Sequence, residues 1–399
     1  MDAMLPYSPS PLRDLTVELD AWRSRLDYRG PLPRAWAGRL RRDLEAEAVA
    51  ASTSMEGVPV TVEEVRRILV GDLPKETSGE DIALVRGYSD AMSFVLRRAD
   101  DPTFRWDREL IVGLHDRVLA GNWAAGAGRL RSTPAFVVNS QTGDLAFSAA
   151  EPAAVSALVD EAYTRMQEAT DHAAISAAWI HVAVAAIHPF KDGNGRSARV
   201  LASLAMYRGG FKLPEFTSLE EWWGRHLQDY YRAFACLGQT FDRTADVTPF
   251  LQAHMEAQLH QVRALDLRER VERRIWTVLE EAVTSADMEP RVVNAAWDAF
   301  FGREVAPRYY RPLADISTAT ATNDLSAAVA AGLLRPVGKG RSRSYVAGDE
   351  LYPRVASALE IRIGDTESAR QVIVAELTRR VAAAEDAAAR HGPPSTRET

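Results

Sequence analysis

Apolar positions recur at helical spacing along most of this chain, and breakers divide them into discrete elements. Pro33 to Met55 is rich in Ala, Leu, Arg and Glu, which predicts a helix stopped by Gly57 and Pro59. Thr61 followed by Glu64 has the spacing of a capping box and predicts a short helix to about Val70. Further helical patterns cover Gly79 to Arg98, Asp107 to Leu119, Ala150 to Glu168, His172 to Ile187, Gly195 to Tyr207, Leu219 to Ala235 and Asp266 to Ala282. The period changes at Thr133 to Phe147, where β-formers flank a Gln-Thr-Gly-Asp turn, predicting a hairpin in helical surroundings. Beyond about Arg263, Leu313 to Leu334 followed by Arg335 to Val346 reads as helix, turn, helix and basic strand-turn-strand. That order resembles a winged helix with Thr320 to Ala331 as recognition helix. The fold class expected is mainly α.

Composition excludes several classes. Of 399 residues, 46% are hydrophobic and 26% charged, the balance of a folded globular protein with two or three domains. Net charge is −7, so nucleic acid could be held only through a local basic patch. Arg335, Lys339, Arg341 and Arg343 form such a patch without an acidic neighbour, which leaves two partners open for the C-terminal module, DNA through phosphate contacts or another protein. The single cysteine, Cys236, excludes an intramolecular disulfide and a cysteine-built zinc site. No membrane span is expected, because the most apolar stretch, Ala173 to Ile187, is too short. The first residues lack the basic start and apolar run of a signal peptide, so the location expected is cytoplasmic.

The chemistry is concentrated at His188 to Arg199, HPFKDGNGRSAR. Pro189 disfavours helical geometry at the preceding residue, which should end the apolar helix and present the His188 imidazole at a loop. Gly193, Asn194 and Gly195 make a permissive turn whose N–H groups can converge at the positive end of the next helix. Arg196 and Arg199 repel that helix end unless a polyanion such as a triphosphate lies there. Asp192 could hold Mg²⁺ bridging the phosphates, and His188 could take a proton near neutral pH.

This segment resembles the signature of the Fic (filamentation induced by cAMP) family, HPFx[D/E]GNGRxxR, at every defined position. The resemblance covers about Ala48 to Phe241. It implies an all-α core with a β-hairpin flap at 133–147, and transfer of AMP from ATP to a Ser, Thr or Tyr hydroxyl of a target protein or of the chain itself. By position, His188 would be the base and Asp192 the Mg²⁺ ligand. Gly193, Asn194 and Gly195 would form the anion hole, Arg196 would orient phosphates, and Arg199 would bind the γ-phosphate. Phe190 would anchor the loop, and Tyr230 and Tyr231 would contact the adenosine. Lys191 fills the variable position, and His181 reads as packed rather than catalytic. Ser52 to Gly57, STSMEG, fits the family's inhibitory motif [S/T]xxxE[G/N], with Glu56 forming a bidentate pair with Arg199 and Ser52 orienting the segment.

The expected layout is therefore an N-terminal helical region over 1–110 with an inhibitory segment at 52–57, and a catalytic core over 111–262. A winged-helix-like module over 263–355 and a C-terminal helix with a disordered tail over 356–399 follow. Alternatives on the same scaffold are another phosphate transfer or removal of AMP. A different kind of reading is a DNA-binding regulator whose core senses nucleotide. A homo-oligomer is compatible with the sequence, which names neither the target nor the oligomeric state.

Overall fold

The computed structural model describes residues 3–28, 34–138, 145–213, 216, 219–340, 343–364 and 367–391. The hairpin tip 139–144, Arg341 and the tail from 392 lie outside the described residues. The chain divides into two compact units, Met1–Arg263 and Ala264–Thr399.

The first unit opens with α1 (Arg13–Tyr28), α2 (Arg34–Ser54), α3 (Val62–Leu69), α4 (Gly79–Ala99) and α5 (Arg108–Val118). The capping box at α3 forms as the sequence predicts: Glu64 N–H donates to Thr61 Oγ1 at 3.2 Å and Thr61 N–H to Glu64 Oε2 at 2.9 Å. The antiparallel hairpin of β1 (Phe136–Val138) and β2 (Leu145–Ser148) follows, in register Phe136↔Ser148 and Val137↔Phe147. Next come α6 (Pro152–Glu168), α7 (Ala173–Ile187) and α8 (Asn194–Arg208).

Helices α7 and α8 pack against each other at the centre of this unit, joined by the His188 loop. Helix α7 is apolar all round and buried along nearly its whole length, the pattern of a helix enclosed on every side. Helix α6 packs on α7, and α4 on α8. Trp179, Ile180, Val184 and Ile187 are each at most 2% exposed, and burying such side chains stabilises by about 1.5–3 kcal/mol each. That packing makes the two ends of the loop rigid.

Leu219 to Ala235 is not one helix. It divides into α9 (Leu219–Arg225) and α10 (Leu227–Ala233), interrupted at His226. There the imidazole Nδ1 sits 2.9 Å from the Trp222 carbonyl, which also accepts from the His226 backbone N–H, so a side chain competes with the helix ladder. Helix α9 lies against α2, where a Cβ on Gly224 would come within 3.1 Å of Ala51 Cβ. The helix expected over Asp266 to Ala282 begins much earlier, as α11 (Thr248–Ser285).

The second unit holds α12 (Val293–Phe300), α13 (Pro307–Ala314), α14 (Thr318–Ala330), β3 (Leu334–Val337), β4 (Ser344–Ala347), α15 (Leu351–Ala358) and α16 (Ala369–His391). Strands β3 and β4 pair antiparallel, and Val305 bridges to Tyr345 on the outer side of β4. The core contains Trp276, Trp297, Phe300, Tyr310 and Leu325. Helix α14 is pinned through buried Asp324, which accepts from Arg291 at 2.8 and 3.0 Å and from the Tyr310 hydroxyl at 3.0 Å. Its exposed face carries Thr318, Thr322, Asn323 and Ser326, and Arg335 and Arg343 are exposed on the hairpin side.

Candidate active site

Helix α7 ends at His188 for the reason the sequence gives. The residue before Pro189 leaves the helical region and adopts φ 51°, ψ 60°, with its N–H still bonded to Val184 O. His188 Nδ1 lies 3.3 Å from Ala185 O, so it carries the hydrogen, and Nε2 is left as the basic nitrogen. Burial is the main influence on this imidazole and lowers its pKa from the ordinary value, leaving it neutral near pH 7.

The loop that follows is closed on itself. Phe190 N–H donates to Asn194 Oδ1 and Asn194 Nδ2 donates to Phe190 O, both at 2.9 Å. The Asn194 side chain therefore locks the loop, and what Asn194 can offer an anion is its backbone N–H. Asp192 Oδ1 accepts the Gly193 N–H at 2.6 Å, and Gly193 takes φ 73° as the N-cap of α8. A side chain there would be strained by the backbone conformation and tightly placed, since a Cβ would meet His115 Nε2 at 3.3 Å.

His115 of α5 is a supporting residue that the sequence analysis missed. It is fully buried, with its ring stacked on Phe190 at 3.6 Å and 3°. Gly128 N–H donates to its Nδ1 at 3.0 Å, so Nε2 carries the hydrogen and donates to Asp192 O at 2.8 Å. Burial pushes its pKa down to about 4 and keeps it neutral in this role. Phe190 is fully buried, as a loop anchor requires. Lys191 and Asp192 face solvent, Asp192 with 59% of its side chain exposed.

The two arginines of α8 have different surroundings. Arg196 is buried, and its Nη2 approaches Asp192 Oδ2 at 3.4 Å. Its Nε and Nη1 have no hydrogen-bond partner among the described residues. Arg199 is also buried, but each of its three nitrogens has a partner. Its Nε donates to Ser52 Oγ at 2.9 Å, Nη2 to Ser52 O at 3.1 Å and to Glu56 Oε1 at 2.9 Å, and Nη1 reaches Tyr230 Oη at 3.4 Å. The bidentate Glu56–Arg199 pair expected from sequence is thus one hydrogen bond, because Ser52 takes the Nε edge of the guanidinium. Glu56 lies just beyond α2, and Gly57 follows with φ 84°. The Glu56 carboxylate lies over the start of α8: a Cβ on Gly195 would fall 2.3 Å from Glu56 Oε1 and 3.1 Å from Arg199 Nη1. An anion from the chain itself thus stands at this positive helix end.

Tyr230 and Tyr231 are adjacent in sequence and opposite in environment. Tyr230 is buried, its hydroxyl between Arg199 and His181 Nε2, the latter at 3.1 Å. Tyr231 is 53% exposed. His181 is packed among Tyr230, Phe234, Phe250 and His254, and burial drives its pKa well down. Behind Arg199, the Tyr88 hydroxyl donates to buried Glu220 Oε1 at 2.8 Å, a contact between α4 and α9 with no local signal in the sequence. Among the described residues no group of three or more His, Cys, Asp or Glu side chains is gathered to hold a metal, and no helix is long and apolar enough to cross a membrane.

Residues 105–206 match the model of the Fic/DOC family. Two similar proteins are the protein adenylyltransferase fic-1 of Caenorhabditis briggsae, 31% identical over 120 residues, and the protein adenylyltransferase Fic of Nematostella vectensis, 30% identical over 211 residues. The matched parts cover 29% and 50% of this chain, and only 23% and 44% of those relatives, so the chain spans less than half their length. The crystal structure of a Fic family protein from Desulfovibrio desulfuricans G20 superposes with a TM-score of 0.55 at 20% identity, covering 88% of this chain and 99% of that one, a likeness of fold. With the HPFKDGNGRSAR loop intact between α7 and α8, residues 105–206 of this chain are a domain of the Fic/DOC family.

Proposed function

We propose that the protein is an autoinhibited adenylyltransferase that moves AMP from ATP to a hydroxyl side chain of a target protein, and of itself. The observation that carries this reading is Arg196: a buried guanidinium with two unpartnered donors in the first turn of α8, directly after the loop that bears His188. Burying a charged donor without a partner is costly, and a triphosphate at the helix start relieves that cost. The names of the relatives agree with AMP as the transferred group.

In this mechanism the target hydroxyl loses its proton to His188 Nε2 as its oxygen attacks the α-phosphorus. The new P–O bond forms as the bond to pyrophosphate breaks, and the negative charge that builds on the leaving pyrophosphate is met by the start of α8 and Arg196. Asp192 suits Mg²⁺. Its exposed carboxylate keeps lone pairs directed to solvent beside the anion cradle, and Mg²⁺ is commonly held by one or two carboxylates with phosphate oxygens and water. Bound there, the metal would neutralise phosphate charge. Tyr231 is available to an adenosine on the surface, whereas Tyr230 would act by orienting Arg199.

Inhibition is read from Glu56. Its carboxylate engages Arg199 and covers Gly195, both of which a γ-phosphate would need. Intact-protein mass spectrometry after incubation with ATP and Mg²⁺ tests the whole reading on the parent, on Glu56→Gly and on Glu56→Gly with His188→Ala. One added AMP should grow with the first change and vanish with the second. An added phosphate would instead indicate attack at the γ-phosphate, and loss of AMP from a modified protein would indicate removal chemistry. No added mass in any variant that binds ATP would count against transfer.

The second unit supports a separate reading as a winged-helix-like module with duplex DNA as partner. Its support is the neutral polar face of α14 beside exposed Arg335 and Arg343. Binding should weaken steeply with salt and disappear in the Arg335→Ala, Arg343→Ala double variant.

A further inference from the structure

We propose that Arg131 is a positioning residue that couples the β1–β2 hairpin to the catalytic base, holding both feet of the hairpin and the backbone of His188 with one guanidinium. The inference rests on the transfer reading above, in which the hairpin presents the target hydroxyl to His188.

Arg131 lies shortly before β1 and is 7% exposed. Its Nη1 donates to Thr133 O at 2.8 Å, at the entry to the hairpin, and its Nη2 donates to Ala150 O at the exit. On the other side Nε donates to His188 O at 2.6 Å and Nη2 to Ile187 O at 3.1 Å. The Arg131 backbone N–H adds a bond to Pro189 O at 2.9 Å. The hairpin root is closed by Ala149 N–H donating to Ala135 O at 3.1 Å, so its two feet move together.

These acceptors need an outside donor. The last carbonyls of a helix have no intrahelical N–H, and here the chain turns left-handed at His188 and continues into Pro189, which has no N–H to give. A guanidinium fits because it is planar, carries five N–H groups in a fixed fork, and is favoured at the negative end of a helix. Lysine has three donors on one nitrogen and cannot span both sides. Among the described residues, the hydrogen-bond partners of the Arg131 side chain are all main-chain carbonyls. The guanidinium therefore sets geometry, the distance from hairpin to imidazole, and its direct contacts lie outside the Gly193 to Arg199 cradle.

The test uses the full chain carrying Glu56→Gly, compared with the same chain bearing Arg131→Lys or Arg131→Gln. MgATP affinity is measured by calorimetry, self-transfer of AMP by mass spectrometry, and backbone hydrogen exchange by peptide mapping. Coupling requires that MgATP affinity change by less than threefold while the transfer rate at saturating MgATP falls by tenfold or more. Exchange should rise together in β1, β2 and residues 185–190, with α8 unchanged. The proposal is overturned if affinity falls in step with rate, or if exchange rises in the hairpin alone or in neither segment. Should the Glu56→Gly parent transfer no AMP, the transfer reading fails, and the exchange pattern still decides whether Arg131 joins hairpin and base.

Discussion

Replacing Glu56 tests the proposed inhibitory role of its contact with Arg199 quantitatively, because among the described residues the side chain has one charged partner and a neighbour, Gly195, whose environment it defines. Glu56→Gln keeps an oxygen facing Arg199 Nη2 and removes only the charge; Glu56→Gly removes both. A hydrogen bond between charged groups contributes about 1.5–3 kcal/mol and a neutral one about 0.5–1.5 kcal/mol. The Glu56 side chain is 24% exposed, so solvent screening selects the lower part of that range. The expected loss is then about 1 kcal/mol for Gln and about 2 kcal/mol for Gly, and at ~2–4 °C per kcal/mol the melting point of the first unit falls by roughly 2–4 °C and 4–8 °C. Arg199 keeps Ser52 and Tyr230 in both variants, which limits the damage. Ligand stabilisation should run the other way. MgATP binding only the native state stabilises by about 2.7 kcal/mol at a hundredfold excess over Kd, and the parent forfeits part of this by displacing Glu56. Thermal melts with and without MgATP should therefore rank parent, Gln, Gly in falling intrinsic stability and in rising MgATP-induced shift. Equal melting points and equal shifts in all three would refute the claim that Glu56 competes with a phosphate for Arg199.

Two further outcomes follow from the same geometry. In the Glu56→Gly background, Gly195→Ala should weaken MgATP binding by about tenfold or more, ~1.4 kcal/mol, since its methyl would sit in the space that the Glu56 carboxylate leaves; an unchanged Kd by calorimetry would mean the anion lies elsewhere. Burial pushes His115 down to about 4 and His254 to about 3, whereas an unfolded histidine titrates near 6.5. The unfolded state therefore takes up these protons first, so this stability is complete above about pH 6.5 and is lost as pH falls from there toward about 4 for His115 and about 3 for His254. The urea midpoint should drop between about pH 7.5 and 5.5 and drop less in His254→Leu; a midpoint that rises on acidification would contradict the neutral burial of these rings.

The sequence by itself determined what neighbouring residues decide. Pro189 ends α7 at His188, Thr61 and Glu64 cap α3, and the glycine at 193 permits the left-handed entry to α8. Each is a steric or hydrogen-bonding preference acting over a few residues, and a twelve-residue motif made only of such preferences is legible without a structure. The break at His226 escaped because it depends on which competing acceptor a side chain finds.

Only tertiary structure could bring Arg131, His115, Ser52 and Tyr88 into contact with a loop and helices far along the chain. None of them has a local signature, since an arginine before a hairpin or a histidine inside a helix is ordinary in sequence. Their roles arise from burial: once α7 and α8 are enclosed, the loop carbonyls and the two guanidiniums lose water, and each must find a partner from whatever element packs beside it. Most of them do. Arg196 keeps two buried donors without a partner among the described residues.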